Sequence, residues 1–128
     1  MTRLLAAASL LMVSVGCGPT YEKNVEPTFV RSCAAVECHS GDPADESGLD
    51  LSLGNGYASI VGQPSLESNL SLVEPGDPDA SYLWHKLNGT HDEFDLTEGG
   101  TDPMPPVGSL SVDELSTIQA WITDGAPE

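Results

Sequence analysis

Positive charge is what this 128-residue chain has least of: four Lys and Arg stand against 20 Asp and Glu, for a net charge of −16. That deficit excludes nucleic acid as a partner, because nothing here neutralises phosphates. It also sets the folded part against anionic membranes. Aromatic residues make up only 5% and hydrophobic residues 39%, while 13 Gly and 10 Pro interrupt the chain. This is thin material for a self-sufficient core. A small, loop-rich domain of such composition calls for a staple, whether a disulfide, a metal or a large cofactor. The length bounds the answer to one domain.

Cysteine is scarce too, and its placement is informative. Cys33 and Cys38 are followed directly by His39. Two thiols and an adjacent imidazole read as a haem c attachment site: the thiols add to the porphyrin vinyl groups and the histidine reaches the iron. The usual spacing is C-x-x-C-H, whereas four residues separate these cysteines. The porphyrin fixes the distance between the vinyl carbons, so a longer spacer must bulge outward while Cys38 and His39 stay adjacent. Two other readings compete. Cys33 and Cys38 can close a small disulfide loop with His39 at the surface, or supply two of the four ligands of a zinc ion. For zinc, the remaining candidates His85 and His91 lack ligand-like spacing. Asp42, Asp45, Glu46 and Asp50 do not have the spacing of an EF-hand and read as a solvated loop.

Residues 1–16 read as a lipoprotein signal peptide. Arg3 supplies the positive start, Leu4 to Val15 the apolar run, and Gly16 a small residue before Cys17. The run is too short to be a membrane span. Lipidation at Cys17 leaves Cys33 and Cys38 as an even pair, which fits export. The rival reading is an ordinary cleaved signal with Cys17 free. Gly18 after the cysteine favours the outer membrane of a bacterial envelope, facing the periplasm. Residues 17–24 then form a lipidated tether and residues 25–128 the domain.

Within the domain, Pro27 opens a helix with Val25, Phe29 and Val30 on one side, delivering Cys33. Leu49, Leu51 and Leu53 alternate as a short extended segment, and Tyr57 to Val61 make a helical turn or two. Residues 62–71 read as loop, with a brief strand at Leu70, Leu72 and Val73. Asp77 caps and Pro78 opens another helix, which Gly89 stops. Leu83, Trp84 and Leu87 form its buried stripe, and His85 falls off that stripe, on the exposed side. Residues 90–109 form a long loop, of a length that goes with function or disorder. There Met104 lies between Pro103 and Pro105, which stiffen its backbone, and it is the sole methionine left once residues 1–16 are removed. Ser111 and Glu114 make a capping box, closed by a staple of Leu110 and Leu115. The final helix shows Leu115, Ile118, Trp121 and Ile122 on its apolar face and ends at Gly125. It is expected to pack on the helix ending at Cys33, with Leu115, Ile118 and Ile122 toward Phe29 or Val30.

These pieces, in this order, resemble a bacterial monohaem cytochrome c-like lipoprotein domain. The matching parts are the proline-started helix, then Cys33, Cys38, His39, Ser40 and Gly41. After Gly48 to Leu51 come Pro75 to Pro78 with Ser81 to Leu83, Met104 with Pro105, and Leu110 through Trp121 to Ala126. The departure is the longer cysteine spacing. The resemblance implies an all-α, loop-rich fold around a covalently attached haem c, with His39 as proximal and Met104 as distal iron ligand. It implies one-electron transfer rather than enzyme chemistry, because an iron with both axial positions filled has no place for substrate. Were Met104 not to bind, His85 or His91 would replace it, or an open iron would permit peroxidase-like or gas-binding chemistry. The acidic surface suits a redox partner with a basic docking patch. The alternative is a haem-free envelope lipoprotein with a Cys33–Cys38 disulfide, acting as a binding or structural module.

Overall fold

The computed structural model describes residues 17–41, 48–98 and 100–128. The signal peptide read over residues 1–16 lies outside the described residues, as do Asp42, Asp45 and Glu46 of the acidic loop. The fold is all-α. Among the described residues there are four α-helices, α1 (Glu26–Ser32), α2 (Gly56–Ile60), α3 (Tyr82–Asn88) and α4 (Val112–Thr123), and no strand. Where a brief strand was expected around Leu70 to Val73, single bridges form instead, from Val61 to Val73, from Pro64 to Ser71 and from Ser71 to Ser81.

The folded unit starts earlier than Val25. Tyr21–Val25, of which residues 21–24 were expected to be tether, is a π-helical turn that runs directly into α1. Tyr21 is buried, its N–H donates to the carbonyl of Pro127 at 2.9 Å, and its ring meets those of Phe29, Tyr57 and Trp121. The Pro127 carbonyl also accepts the Trp121 indole N–H at 2.8 Å, and the Ala126 carbonyl accepts the Tyr57 hydroxyl at 3.0 Å. The start of the domain, its end and α2 are therefore tied at one place. Gly56 is required there, because a Cβ would come within 1.9 Å of the Tyr21 hydroxyl.

The terminal helix α4 begins as its sequence dictates. Ser111 accepts from the Glu114 N–H, and the Glu114 carboxylate accepts from the Ser111 N–H, forming both halves of a capping box. Ile118, Trp121 and Ile122 are buried, and Leu110 and Leu115 join the same core. The partner of α4 differs from expectation. It lies chiefly against the π turn rather than against α1, to which the Arg31–Glu114 ion pair ties its N-terminus. Val30 accordingly points outward, 37% exposed, while Phe29 is fully buried. Leu53 likewise leaves the alternation and is exposed, whereas Leu51 is buried and Leu49 half-buried.

Asp77 caps a short 3-10 turn, Pro78–Ala80, which leads into α3. The first N–H groups of α3 find partners outside the helix: Tyr82 donates to the Ser71 carbonyl at 2.9 Å and Leu83 to that of Leu72 at 3.0 Å. Helix α3 stops at Gly89, whose φ of 79° is the left-handed conformation that glycine accepts without strain.

Candidate functional site

Helix α1 ends at Cys33, whose N–H still donates to the Phe29 carbonyl at 2.8 Å. The chain then bulges: Ala35, Val36, Glu37 and Cys38 are exposed, and the His39 N–H returns to the Cys33 carbonyl at 3.0 Å. The extra residues between the cysteines thus loop outward while Cys33 and His39 remain neighbours through that hydrogen bond. The Leu51 N–H then donates to the His39 carbonyl at 2.8 Å, pinning the histidine from the other side. Gly41 follows at φ 72°, and a Cβ there would strike the Asp50 carboxylate. Cys33 and Cys38 are free thiols. Burial, with a further contribution from nearby Cys38, pushes the Cys33 thiol up to about 11, which Arg31 only partly opposes. Cys33 is therefore a neutral thiol at neutral pH.

Cys33, Cys38 and His39 line one wall of a cavity of about 840 Å³, and Met104 lines it as well. That volume lies within the range of about 300–1,000 Å³ usual for ligand and cofactor sites. Phe29, Leu49, Leu51, Leu72, Leu83 and Leu87 contribute apolar surface. Among the described residues, Glu37, Glu67 and Lys86 are the charged groups on the lining. Two thiols, an imidazole and a thioether in an otherwise largely apolar cavity are the donor set of a covalently held haem, so the residues present fit that group. Cys33 and Cys38 would hold the porphyrin, and His39 and Met104 would face the iron.

The segment carrying Met104 is fixed by more than its prolines. The Met104 N–H donates to the Lys86 carbonyl of α3 at 3.0 Å. Three residues earlier, Thr101 donates to one oxygen of Asp95 through both its N–H and its hydroxyl, each at 2.8 Å. Its carbonyl accepts from His91 Nε2 at 2.9 Å, and the Tyr82 hydroxyl donates to Asp95 beside it. Burial pulls the Asp95 carboxyl up, but hydrogen bonds from Tyr82 and Thr101 outweigh it and hold Asp95 below the usual carboxylate range. Burial and the Asp95 bond push the Tyr82 phenol well above its ordinary value.

His85 is not exposed, contrary to the expectation from periodicity. It is 7% exposed and packs on the Phe94 ring at 4.1 Å. Its Nε2 donates to the Asp79 carbonyl at 2.9 Å, so its Nδ1 accepts from the Thr90 hydroxyl at 2.7 Å. Neither His85 nor His91 lines the cavity. The structure thus brings together Cys33, Cys38, His39 and Met104 and places the other two histidines elsewhere. Sequence reasoning missed Lys86 on the lining. Its rarity was the available signal, since it is one of only four Lys and Arg in the chain.

A small all-α domain with this set of residues on one cavity has the build of a cytochrome c-like domain. Residues 36–108 match the family model described as Planctomycete cytochrome C, more than half of the chain, and the protein belongs to that family. The matched stretch contains Cys38, His39 and Met104 and starts three residues after Cys33. Comparison with curated proteins and with solved structures gives no match. Family membership suggests a haem-binding electron carrier.

Proposed function

We propose that the protein is a one-electron carrier with haem c bound covalently through Cys33 and Cys38 and with His39 and Met104 as axial ligands. The observation that carries this reading is the meeting of all four side chains on one apolar cavity, inside a chain of the cytochrome family. When bound, the haem supplies an iron that changes oxidation state by one electron, and a methionine ligand raises its potential. The chain's own residues do the rest. Cys33 and Cys38 would hold the cofactor, backbone bonds fix His39 on either side, and the leucines of the lining would shield the bound group from water. With haem bound, Met104 would be the second protein ligand of the iron and leave no place on it for substrate, which supports electron transfer over enzyme chemistry.

The acidic surface steers the carrier to a redox partner with a basic docking patch. Cys17 is exposed and precedes the π turn by a few residues, which suits a lipid anchor holding the domain at the outer membrane, on its periplasmic side. Among the described residues no helix is long and apolar enough to cross a membrane. The test is Met104→Ala in protein matured with haem. It lowers the reduction potential and lets the reduced protein bind carbon monoxide, and Met104→His restores six-coordination at a lower potential. An unchanged spectrum and potential in Met104→Ala would show that the thioether is not a ligand.

A further inference from the structure

We propose that Lys86 is a positioning residue for Met104, gripping the ligand segment from two ends at once. This inference rests on the reading of Met104 as an iron ligand. Lys86 lies in the last turn of α3, on the cavity wall, and is 7% exposed. Its Nζ donates to the Thr101 hydroxyl at 2.8 Å and to the Asp102 carbonyl, while its own carbonyl accepts the Met104 N–H. One residue therefore touches positions 101, 102 and 104. Prolines at 103, 105 and 106 restrict the backbone angles of this loop. They do not determine where it sits relative to α3, and Lys86 does.

The burial of this ammonium group supports a specific role. A buried charge costs stability unless it is paired and hydrogen-bonded, and an apolar residue of similar size packs such a place at least as well. Among the described residues Glu67 is the only carboxylate paired with Lys86, at 3.5 Å and half exposed, and the Tyr82 ring lies 5.7 Å away. The remaining bonds of Nζ go to the Met104 segment. Thr101 relays the grip: its hydroxyl accepts from Lys86 and donates to Asp95, so the ammonium, the loop and the Tyr82–Asp95 pair form one connected set.

The test compares four variants of the haem-loaded protein with the wild type: Lys86→Met, Lys86→Arg, Thr101→Val and Met104→Ala. Lys86→Met moves the spectrum toward that of Met104→Ala and admits carbon monoxide to the reduced iron. Its Met104 amide exchanges hydrogen about tenfold faster or more, as the loss of charge-assisted bonds requires. Loss of the positive charge alone would lower the potential yet leave the iron closed to carbon monoxide. Thr101→Val makes the same distinction without altering charge, and it opens the iron in the same direction. Lys86→Arg keeps charge and donors and stays closed. If Lys86→Met and Thr101→Val both remain closed with wild-type spectra while Met104→Ala opens, Lys86 does not position the ligand. If Met104→Ala itself changes nothing, the ligand reading fails and this inference falls with it. Should Lys86→Met not fold, Lys86→Gln, which removes the ammonium and keeps a polar tip, takes its place in the comparison with Lys86→Arg.

Discussion

Around Trp121 the side chains close on one another, while around Cys33 and Met104 they stop short and leave about 840 Å³. Three of the seven aromatic residues, Tyr21, Tyr57 and Trp121, gather at the first pole with Ile118, Ile122 and Ala126. Phe29 is the partition: it touches the Tyr21 ring and also lines the cavity. The second pole is lined by leucines, which supply apolar surface without filling the space. A chain this poor in aromatic residues completes one small core unaided and leaves the other to be filled by a large apolar group. The two poles therefore have different dependencies: one on side-chain packing, the other on what the cavity holds.

The largest effect that sharpens this comparison is expected from Trp121→Ala. The ring is fully buried and its indole N–H is bonded to Pro127, so the change should cost about 3–5 kcal/mol in denaturant unfolding. The spectrum of the folded fraction should stay that of the wild type, because Trp121 does not line the cavity. Ile118→Ala should cost about 2–5 kcal/mol at the same pole. A cost under about 0.5 kcal/mol, the surface expectation, would remove Ile118 from the core.

Ser111→Ala probes the edge of the packed pole, with an expected loss of about 1 kcal/mol from the cap. It also carries a pH signature. The Ser111 N–H and hydroxyl hold the Glu114 carboxyl below the usual carboxylate range. A depressed carboxyl stabilises fully above its unfolded value, and that stabilisation is lost as pH falls through its folded value. Acid unfolding of Ser111→Ala should therefore be less steep than that of the wild type, and parallel acid limbs would show that the box is not formed. The smallest effect is expected from Leu66→Ser, on the cavity lining yet 86% exposed. Its stability should change by no more than about 0.5 kcal/mol. A larger change would mean that the second pole closes on itself after all.

The packed pole was the more legible of the two in sequence. Helix α4 could be read from Ser111, Glu114 and the 3.6-residue spacing of its apolar face, because caps and stripes are local features. Tyr21 could not be placed, since its burial depends on Pro127 and Trp121 at the far end of the chain. At the second pole, Cys38 beside His39 and the proline-flanked Met104 were visible as local patterns. His85 was misread because periodicity describes α3 alone, while Thr90 and Phe94 fold back over it from the following loop. The Lys86–Thr101 contact likewise joins residues with no shared pattern, and only geometry reveals it.

Function as an electron carrier depends most directly on whether haem is covalently bound at Cys33 and Cys38. The deciding measurement is the intact mass of the denatured protein, produced alongside a cytochrome c maturation system and paired with haem-peroxidase staining of a denaturing gel. A mass equal to the chain plus one haem, with staining retained, is the predicted result. A colourless protein whose mass is that of the chain alone, with Cys33 and Cys38 joined as a disulfide, would contradict it.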